Sequence, residues 1–166
     1  KQSRLRQKKK SFLIRTFARN EERTISEIMT KSLNYGNVLV INDSSTDNTL
    51  NLIKKFDVKV ISNKTHKGYS NGLRIGLDYA KKKKYRFAIL IDSDGEHSPK
   101  LIKRFIDDIN DSNKIIFGKR KIKRLSEKII CKYYELVYGV TDILCGMKAI
   151  NLDEIEIRMK EIGLEV

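Results

Sequence analysis

The most constraining feature of the sequence is an apolar run that ends abruptly in an acidic turn. Five consecutive apolar residues, 87–91, are followed by Asp92-Ser93-Asp94-Gly95-Glu96. A strand without polar alternation is typical of the buried centre of a parallel sheet. Ser98 and Pro99 then predict the start of a helix, with serine as its cap and proline at its first position. Ligands of such α/β sheets bind at the carboxyl ends of the strands, so this turn is a candidate site.

Three carboxylates alternate along the turn. Asp92, Asp94 and Glu96 can direct several oxygens at one hard cation, which predicts a site for Mg²⁺ or Mn²⁺. The alternative is a solvated acidic turn that only ends the strand. The apolar strand before the turn and the capped helix after it favour the metal site.

Strand and helix patterns alternate through the first two-thirds of the chain. This alternation predicts a single-domain α/β fold with a mostly parallel, doubly wound sheet. We expect residues 1–10 to form a basic disordered arm and residues 11–166 to form the folded domain. Asn20 is expected to cap a first helix that begins at Glu21. Strands are predicted at 11–17, 38–41, 58–61, 87–91, 115–118 and 147–150, with helices between them.

The chain is strongly basic, with 35 Lys and Arg residues against 21 Asp and Glu and a formal net charge of +14. Such a charge favours polyanionic partners: nucleic acid, anionic lipid or a phosphorylated substrate. Basic residues cluster at 81–84 and 119–124, and a plain lysine-rich surface explains the first cluster equally well. Helix-turn-helix, zinc-finger and RNA-recognition signatures are missing from the sequence, so nucleic acid is not the expected partner.

Cysteine usage and apolar run lengths bear on the compartment. The apolar runs are far shorter than the roughly 20 residues that span a bilayer, and the basic start lacks the apolar region of a secretory signal. Cys131 and Cys145 give neither a disulfide framework nor a metal spacing, so both are expected to be reduced and packed. These features predict a cytoplasmic setting.

Acidic residues recur directly after predicted strands, at 20–22, 43–47 and 92–94. Carboxylates at successive strand ends suit a ligand that has hydroxyls and a metal-bound diphosphate. The sequence contains no G-x-G-x-x-G after its first strand, no phosphate-binding G-x-x-x-x-G-K-[ST], no G-x-S-x-G and no H-E-x-x-H. For the first two clusters, favourable placement at a helix start and ordinary turn formation are the competing interpretations.

Six motifs follow one another in an order that is specific to one family. They are Ala18-Arg19-Asn20-Glu21-Glu22, residues 40–49, Lys67-Gly68 with Gly76-Leu77, residues 92–99, Phe117-Gly118-Lys119-Arg120 and residues 141–149. In these motifs, across residues 11–150, the chain resembles the family 2 glycosyltransferases of the GT-A fold. The resemblance is to the branch of dolichyl-phosphate mannose synthases and related polyprenyl-phosphate sugar transferases. Phe17 and Arg19 stand where that family usually has Pro and Tyr, and Cys145-Gly146-Met147 replaces its Ser-Gly-Phe.

The resemblance implies transfer of a hexosyl group from GDP-mannose or a UDP-sugar to a polyprenyl or dolichyl phosphate. It places Asp43 on the base and Glu21 on the ribose, and it implies that Asp92, Asp94 and Glu96 hold the metal. The residues implied to bind the nucleotide sugar are Phe17, Arg19, Glu21, Ile41, Asp43, Lys67, Asp92, Ser93, Asp94 and Arg120. The catalytic residues implied are Asp94 and Asp142, the latter as a base if the acceptor is a hydroxyl.

The acceptor remains open between a lipid phosphate and a hydroxyl of a glycan or small molecule. The 119–124 cluster would attract a lipid phosphate and an anionic membrane, giving peripheral attachment at the inner face of the membrane. A stripe of apolar residues on the next predicted helix, 125–137, and its tyrosines are expected to pack in the core or an interface. A non-enzymatic alternative is a basic nucleic-acid-binding α/β domain. The family often continues beyond the equivalent of residue 166, so a C-terminally truncated domain is a further expectation.

Overall fold

The protein's computed structural model describes residues 12–95, 97–109, 115–119 and 124–154. Six strands form one sheet: β1 (Phe12–Ala18), β2 (Val38–Asp43), β3 (Lys59–Asn63), β4 (Phe87–Asp92), β5 (Ile115–Phe117) and β6 (Lys148–Asn151). The helices are α1 (Ile25–Leu33), α2 (Thr49–Ile53), α3 (Gly68–Lys82), α4 (Ile102–Asp108) and α5 (Leu125–Tyr138). A 3₁₀ turn, Pro99–Leu101, leads into α4.

The strand order in the sheet is β3-β2-β1-β4-β6-β5. β1 pairs in parallel with β2 and β4, and β2 pairs in parallel with β3. β6 is the exception, because it pairs antiparallel with both β4 and β5. The predicted mostly parallel α/β fold is confirmed. Since β6 runs in the opposite direction, its starting end lies at the same edge of the sheet as the carboxyl ends of β1 to β4.

The central strand is buried on both faces, as its apolar run predicts. On one face, Ile89 and Ile91 pack in the core with residues of α1 and α4. On the other face, Ala88 and Leu90 pack with residues on the α3 side of the sheet. Burying one such aliphatic side chain contributes about 1.5–3 kcal/mol, so a two-sided strand anchors the fold strongly. The acidic turn that follows therefore starts from a rigid support.

The prediction that Asn20 caps a helix from Glu21 is wrong. α1 begins at Ile25, and Asn20 adopts a left-handed backbone with φ of 57°. Its side chain instead accepts a hydrogen bond from the Thr46 amide, at 2.9 Å. The cap predicted at Ser98 also makes no side-chain hydrogen bond, although Pro99 does start the 3₁₀ turn. Contacts with a distant loop, which local pattern cannot show, set the start of α1.

Helix α5 does not pack its apolar stripe in the core, which is one of the two predicted positions. Leu125 is 73% exposed and Leu136 is 74% exposed, and Tyr133 and Tyr138 are also exposed. Only Cys131 is buried among the residues of this helix. The apolar stripe therefore lies on the surface of the described part of the chain. None of the described helices is long and apolar enough to span a membrane.

Candidate active site

The sheet register aligns the predicted site residues at one edge. Phe17 pairs with Ile41 on one neighbouring strand and with Asp92 on the other. These three residues form a row across β2, β1 and β4. Phe17 and Asp92 are half-buried, whereas Ile41 is fully buried in the core on the α3 side. Phe17 and Asp92 can face a ligand, and Ile41 supports the site from beneath.

The loops after β1 and β2 are joined by a set of hydrogen bonds. The Glu21 amide donates to the Thr49 hydroxyl at 2.7 Å, and the Asn20 amide donates to the Ser45 hydroxyl at 3.1 Å. A second pair of contacts joins Glu22 to residues 47 and 48. The Glu22 amide donates to an Asp47 carboxylate oxygen at 3.2 Å, and the Asn48 amide donates to a Glu22 carboxylate oxygen at 3.0 Å. Glu22 and Asp47 thus hold the two loops together.

Glu21 lies near both aspartates of the acidic turn. Partial burial raises the pKa of Glu21, and the negative charges of Asp94, Asp47 and Asp92 raise it further. A hydrogen bond from the Thr24 hydroxyl to the Glu21 carboxylate, at 3.4 Å, acts in the opposite direction. Three carboxylates, Glu21, Asp92 and Asp94, therefore concentrate negative charge at the carboxyl edge of β1 and β4.

The carboxylates fit a divalent cation by their chemistry. Oxygen donors of this kind suit Mg²⁺ and Mn²⁺, and a cation would relieve their mutual repulsion. Within residues 12–95, 97–109, 115–119 and 124–154, no three acidic, histidine or cysteine side chains form a ready metal cluster. Glu96, the third predicted metal ligand, lies outside the described residues. Asp94 is exposed, and its side chain lies at the surface of the site.

Ser93 fixes the acidic turn to its neighbours. Its hydroxyl donates to the Phe17 carbonyl at 2.6 Å, and its own carbonyl accepts a hydrogen bond from the Thr24 hydroxyl. The residue is buried. Ser93 is predicted to bind the nucleotide sugar, but in the structure its side chain links the end of β4 to β1. The turn is thereby held in place before any ligand is bound.

Gly146 lies directly against Asp92. A β-carbon on Gly146 would lie 1.8 Å from Asp92 Oδ2, a distance at which no atom can be placed. The neighbouring Met147 carbonyl accepts a hydrogen bond from the Gly118 amide at 2.9 Å. The motif around Gly146 is visible in the sequence, but its role in making room for Asp92 appears only when β6 is placed beside β4.

Asp43 is fully buried at the end of β2, and its carboxylate binds the loop that leads into α3. It accepts hydrogen bonds from the Asn63 amide group at 2.7 Å and from the Gly68 backbone amide at 2.9 Å. The Lys67 backbone amide donates at 3.0 Å, and His66 Nδ1 lies 2.6 Å away. Burial alone would raise the pKa of Asp43, but these hydrogen bonds outweigh it and lower the pKa to about 2.

The base-binding role of Asp43 remains a prediction. As placed, the carboxylate already has partners on both oxygens, and a nucleobase would have to displace one of them. Lys67 contributes its backbone amide to this network, while the residue itself is exposed. Arg19 is exposed beside the site, and Arg120 lies outside the described residues.

Asp142 is fully buried next to the turn before β6. Cys131 Sγ lies 3.5 Å from Asp142 Oδ1, and burial, together with this carboxylate, raises the pKa of the Cys131 thiol. Cys145 Sγ lies 3.9 Å from Nε2 of the buried His97. Both cysteines are free and buried, as predicted. Asp142 is fully buried, and its role as a base stays a prediction.

Residues 14–141 match the Glycosyl transferase family 2. This match covers more than half of the chain, so the chain belongs to glycosyl transferase family 2. It is a glycosyltransferase, and its α/β fold is the predicted GT-A fold.

Curated relatives carry more specific names. A UDP-N-acetylglucosamine–dolichyl-phosphate N-acetylglucosaminyltransferase of Methanococcus voltae is 25% identical over 87% of this chain and 71% of its own length. A dolichol-phosphate mannosyltransferase of Pyrococcus furiosus is 30% identical over 69% of this chain, and the match spans 34% of that relative.

A solved structure with the same fold is glucosyl-3-phosphoglycerate synthase from Mycobacterium tuberculosis in complex with Mn²⁺, UDP and phosphoglyceric acid. The TM-score is 0.71 at 16% identity, over 91% of this chain and 60% of that chain. At this identity the likeness shows the fold alone.

Proposed function

We propose that the protein transfers a hexosyl group from a nucleotide diphosphate sugar to a polyprenyl phosphate. The observation that carries the proposal is the meeting of Glu21, Asp92 and Asp94 beside Phe17, at the carboxyl edge of the sheet. Carboxylates suit the ribose hydroxyls and a metal-bound diphosphate, and a half-buried aromatic ring suits a base. The names of the archaeal relatives from M. voltae and P. furiosus support a dolichyl-phosphate acceptor.

Asp92 and Asp94, with Glu96 from outside the described residues, would hold a Mg²⁺ or Mn²⁺ ion. When bound, such an ion supplies charge neutralisation for a leaving diphosphate. Glu21 would accept hydrogen bonds from ribose hydroxyls, and Arg19 would line the nucleoside pocket. Arg120 would contribute positive charge near the phosphates. A solved structure of the same fold holds Mn²⁺ and UDP, which supports a divalent ion and a nucleoside diphosphate as ligands.

A phosphate acceptor is consistent with the position of Asp142. Phosphate oxygens are already ionised near neutral pH, so their attack on a sugar needs no strong general base. A hydroxyl acceptor needs a base that can reach it. Since Asp142 is fully buried beside Cys131, the described residues favour the phosphate acceptor.

The exposed stripe of α5 supports attachment to a membrane surface. Its apolar residues recur at helical spacing and lie at the surface, and Lys128 and Lys132 lie on the same helix. Lys119 and Arg124, at the two described ends of the 119–124 cluster, are also exposed. Apolar residues beside lysines are typical of helices that lie in the interface of an anionic membrane. We therefore propose a peripheral membrane protein. The stripe comprises Leu125, Ile129, Ile130, Tyr133, Leu136 and Val137.

Transfer of labelled sugar from UDP-N-acetylglucosamine, UDP-glucose or GDP-mannose tests the proposal directly. Each donor is offered with Mn²⁺ or with EDTA, and the acceptor is dolichyl phosphate in liposomes or a soluble glycan. We expect metal-dependent transfer to the lipid phosphate from one of the donors. Transfer to the glycan alone would show that the acceptor is a hydroxyl and not a lipid phosphate. Steep salt-dependent binding to random DNA, without any donor binding, would show that the protein does not use nucleotide sugars.

Reversing the basic cluster separates acceptor delivery from donor binding. Lys121→Glu, Lys123→Glu and Arg124→Glu together should abolish binding to anionic vesicles, since each basic residue near such a surface contributes roughly 1 kcal/mol. Donor affinity should stay unchanged. Normal transfer to dolichyl phosphate by this triple variant would show that the cluster is only a solvated surface.

A further inference from the structure

Arg15 is a buried arginine in β1, two residues before Phe17. Only 1% of the residue is exposed, and Nε, Nη1 and Nη2 are all buried without a partner that has hydrogen-bond geometry. The guanidinium carbon lies 5.3 Å from the centre of the Phe17 ring and 5.1 Å from that of Tyr69. A guanidinium carries five N–H donors, and the Tyr69 hydroxyl beside it can satisfy few of them, so its burial is costly.

Two glycines of α3 make room for this side chain. A β-carbon on Gly76 would lie 2.9 Å from Arg15 Cγ, and one on Gly72 would lie 3.0 Å from Arg15 Nη2. The side chain therefore runs along α3 towards its N-terminal end, at the carboxyl edge of the sheet. Glycine destabilises the interior of a helix, so the two glycines of α3 carry a cost. A leucine or methionine at position 15 of β1 would fill the core without carrying a charge. The fold is thus built to bring a guanidinium beneath the candidate site.

The surroundings of the guanidinium indicate what it would bind. Phe17 and Tyr69 lie edge to face, with ring centres 5.6 Å apart, and Tyr69 is 40% exposed, so it covers Arg15 from solvent. Aromatic rings suit a nucleobase, whereas the diphosphate is assigned to the Asp92 and Asp94 side. Burial lowers the pKa of Arg15, and the nearby Tyr69 and Asp92 partly restore it. The guanidinium can only donate hydrogen bonds, so its partner must be an acceptor.

We propose that Arg15 is a base-recognition residue, which donates hydrogen bonds to a carbonyl oxygen of the donor's nucleobase once Tyr69 moves aside. This inference rests on the proposed function. Uracil and guanine present carbonyl oxygens, and adenine presents none. Arg15 therefore selects nucleotide sugars of uracil or guanine against those of adenine.

Arg15→Met tests the proposal because methionine fills a similar volume without charge or donors. The measurements are the melting temperature and the Kd values of UDP, GDP and ADP with Mn²⁺, by calorimetry. Replacing a buried charge by an apolar side chain of similar volume should leave the melting temperature unchanged or raise it. The Kd of the preferred diphosphate should rise roughly tenfold or more, and the Kd of ADP should not change. Arg74→Met, on the exposed side of α3, is the matched control and should change neither.

The outcomes separate this inference from the proposed function. If the wild-type protein binds none of the diphosphates, both fail. If the wild-type protein binds UDP or GDP and Arg15→Met binds it equally well, only the role of Arg15 is overturned. A lower melting temperature with unchanged base preference would show that Arg15 serves the fold alone. Should Arg15→Met not fold, Arg15→Lys keeps the charge without the fork of donors, and unchanged base preference in that variant overturns the inference.

Discussion

Asp92 at the end of β4 and Gly146 before β6 are in such close contact that no side chain can stand between them. The hypothetical β-carbon of Gly146 would lie 1.8 Å from Asp92 Oδ2. Gly146 therefore determines where the Asp92 carboxylate can lie. The two residues belong to different motifs of the sequence, and the structure joins them in one site.

Gly146→Ala should displace the Asp92 carboxylate. We expect metal-assisted binding of the nucleotide sugar to weaken about tenfold, because a charged interaction is worth roughly 1.5 kcal/mol or more. Calorimetric titration of UDP or GDP with Mn²⁺ measures the effect. Gly36→Ala is the control. Its β-carbon would also crowd a side chain, at 2.9 Å from a ring carbon of Phe12, but this contact lies far from the carboxyl edge of the sheet. Equal binding by both variants would contradict the role given to Gly146.

Asp94→Asn should leave folding intact, because Asp94 is exposed. Replacing a charged metal ligand by an amide should weaken Mn²⁺-assisted donor binding by roughly tenfold or more. Binding without metal should change much less. The measurement is donor affinity with Mn²⁺ and with EDTA, and the control is Asp107→Asn on α4. A donor affinity that is unchanged with Mn²⁺ would remove Asp94 from the metal site.

Asp43 should make stability depend on pH in the acid range. Its pKa in the folded protein, about 2, is lower than its ordinary value of 3.8. The stabilisation is therefore complete above about pH 4 and is lost as the pH falls towards 2, by roughly 2 kcal/mol in total. Urea denaturation of the wild-type protein and Asp43→Asn at pH 7 and pH 2.5 measures it. The difference between the two proteins should shrink at pH 2.5, and a constant difference would refute the assignment. Asp78→Asn, at a half-buried carboxylate on α3, is the control.

Ile129→Gln with Leu136→Gln should weaken attachment to anionic vesicles by about tenfold or more, since each apolar side chain removed from the interface costs roughly 1 kcal/mol or more. The secondary structure of α5 should persist, because glutamine is a good helix former. Vesicle sedimentation measures binding, and donor affinity should not change. Ser126→Gln, which changes an exposed residue of the same helix without removing an apolar side chain, is the matched control. Undiminished vesicle binding by the double variant would show that the stripe faces another partner.

The strands of the core could be predicted because burial on two faces leaves a simple pattern. The run 87–91 is apolar throughout, and it lies in the structure where that pattern places it. The start of α1 could not be predicted, because Asn20 makes its contacts with Ser45 and Thr46, about 25 positions away. The stripe of α5 was visible, but a periodic pattern shows only that one side of a helix is apolar and not what covers it.

The candidate site was predictable where carboxylates follow strands, since the ends of parallel strands meet at one edge. Arg15 was missed because one charged residue within an apolar strand has no pattern of its own. Its significance depends on Gly72 and Gly76, which lie more than fifty positions further along the chain. Asp43 was predicted as a ligand-binding residue, but the hydrogen bonds that occupy it come from residues 63–68, and only the fold brings these together.

The antiparallel direction of β6 has a consequence for the order in which the protein can become active during synthesis. Residues 12–95 contain β1 to β4 and both aspartates of the turn, so most of the sheet can pair while the rest of the chain is still being made. Asp92 acquires its neighbour Gly146 only when β6 has inserted between β4 and β5, more than fifty residues later. Contacts over such separations carry a larger loop-closure entropy cost than local ones. A nascent chain that ends before β6 would therefore contain the carboxylates but not Gly146, the residue that positions Asp92.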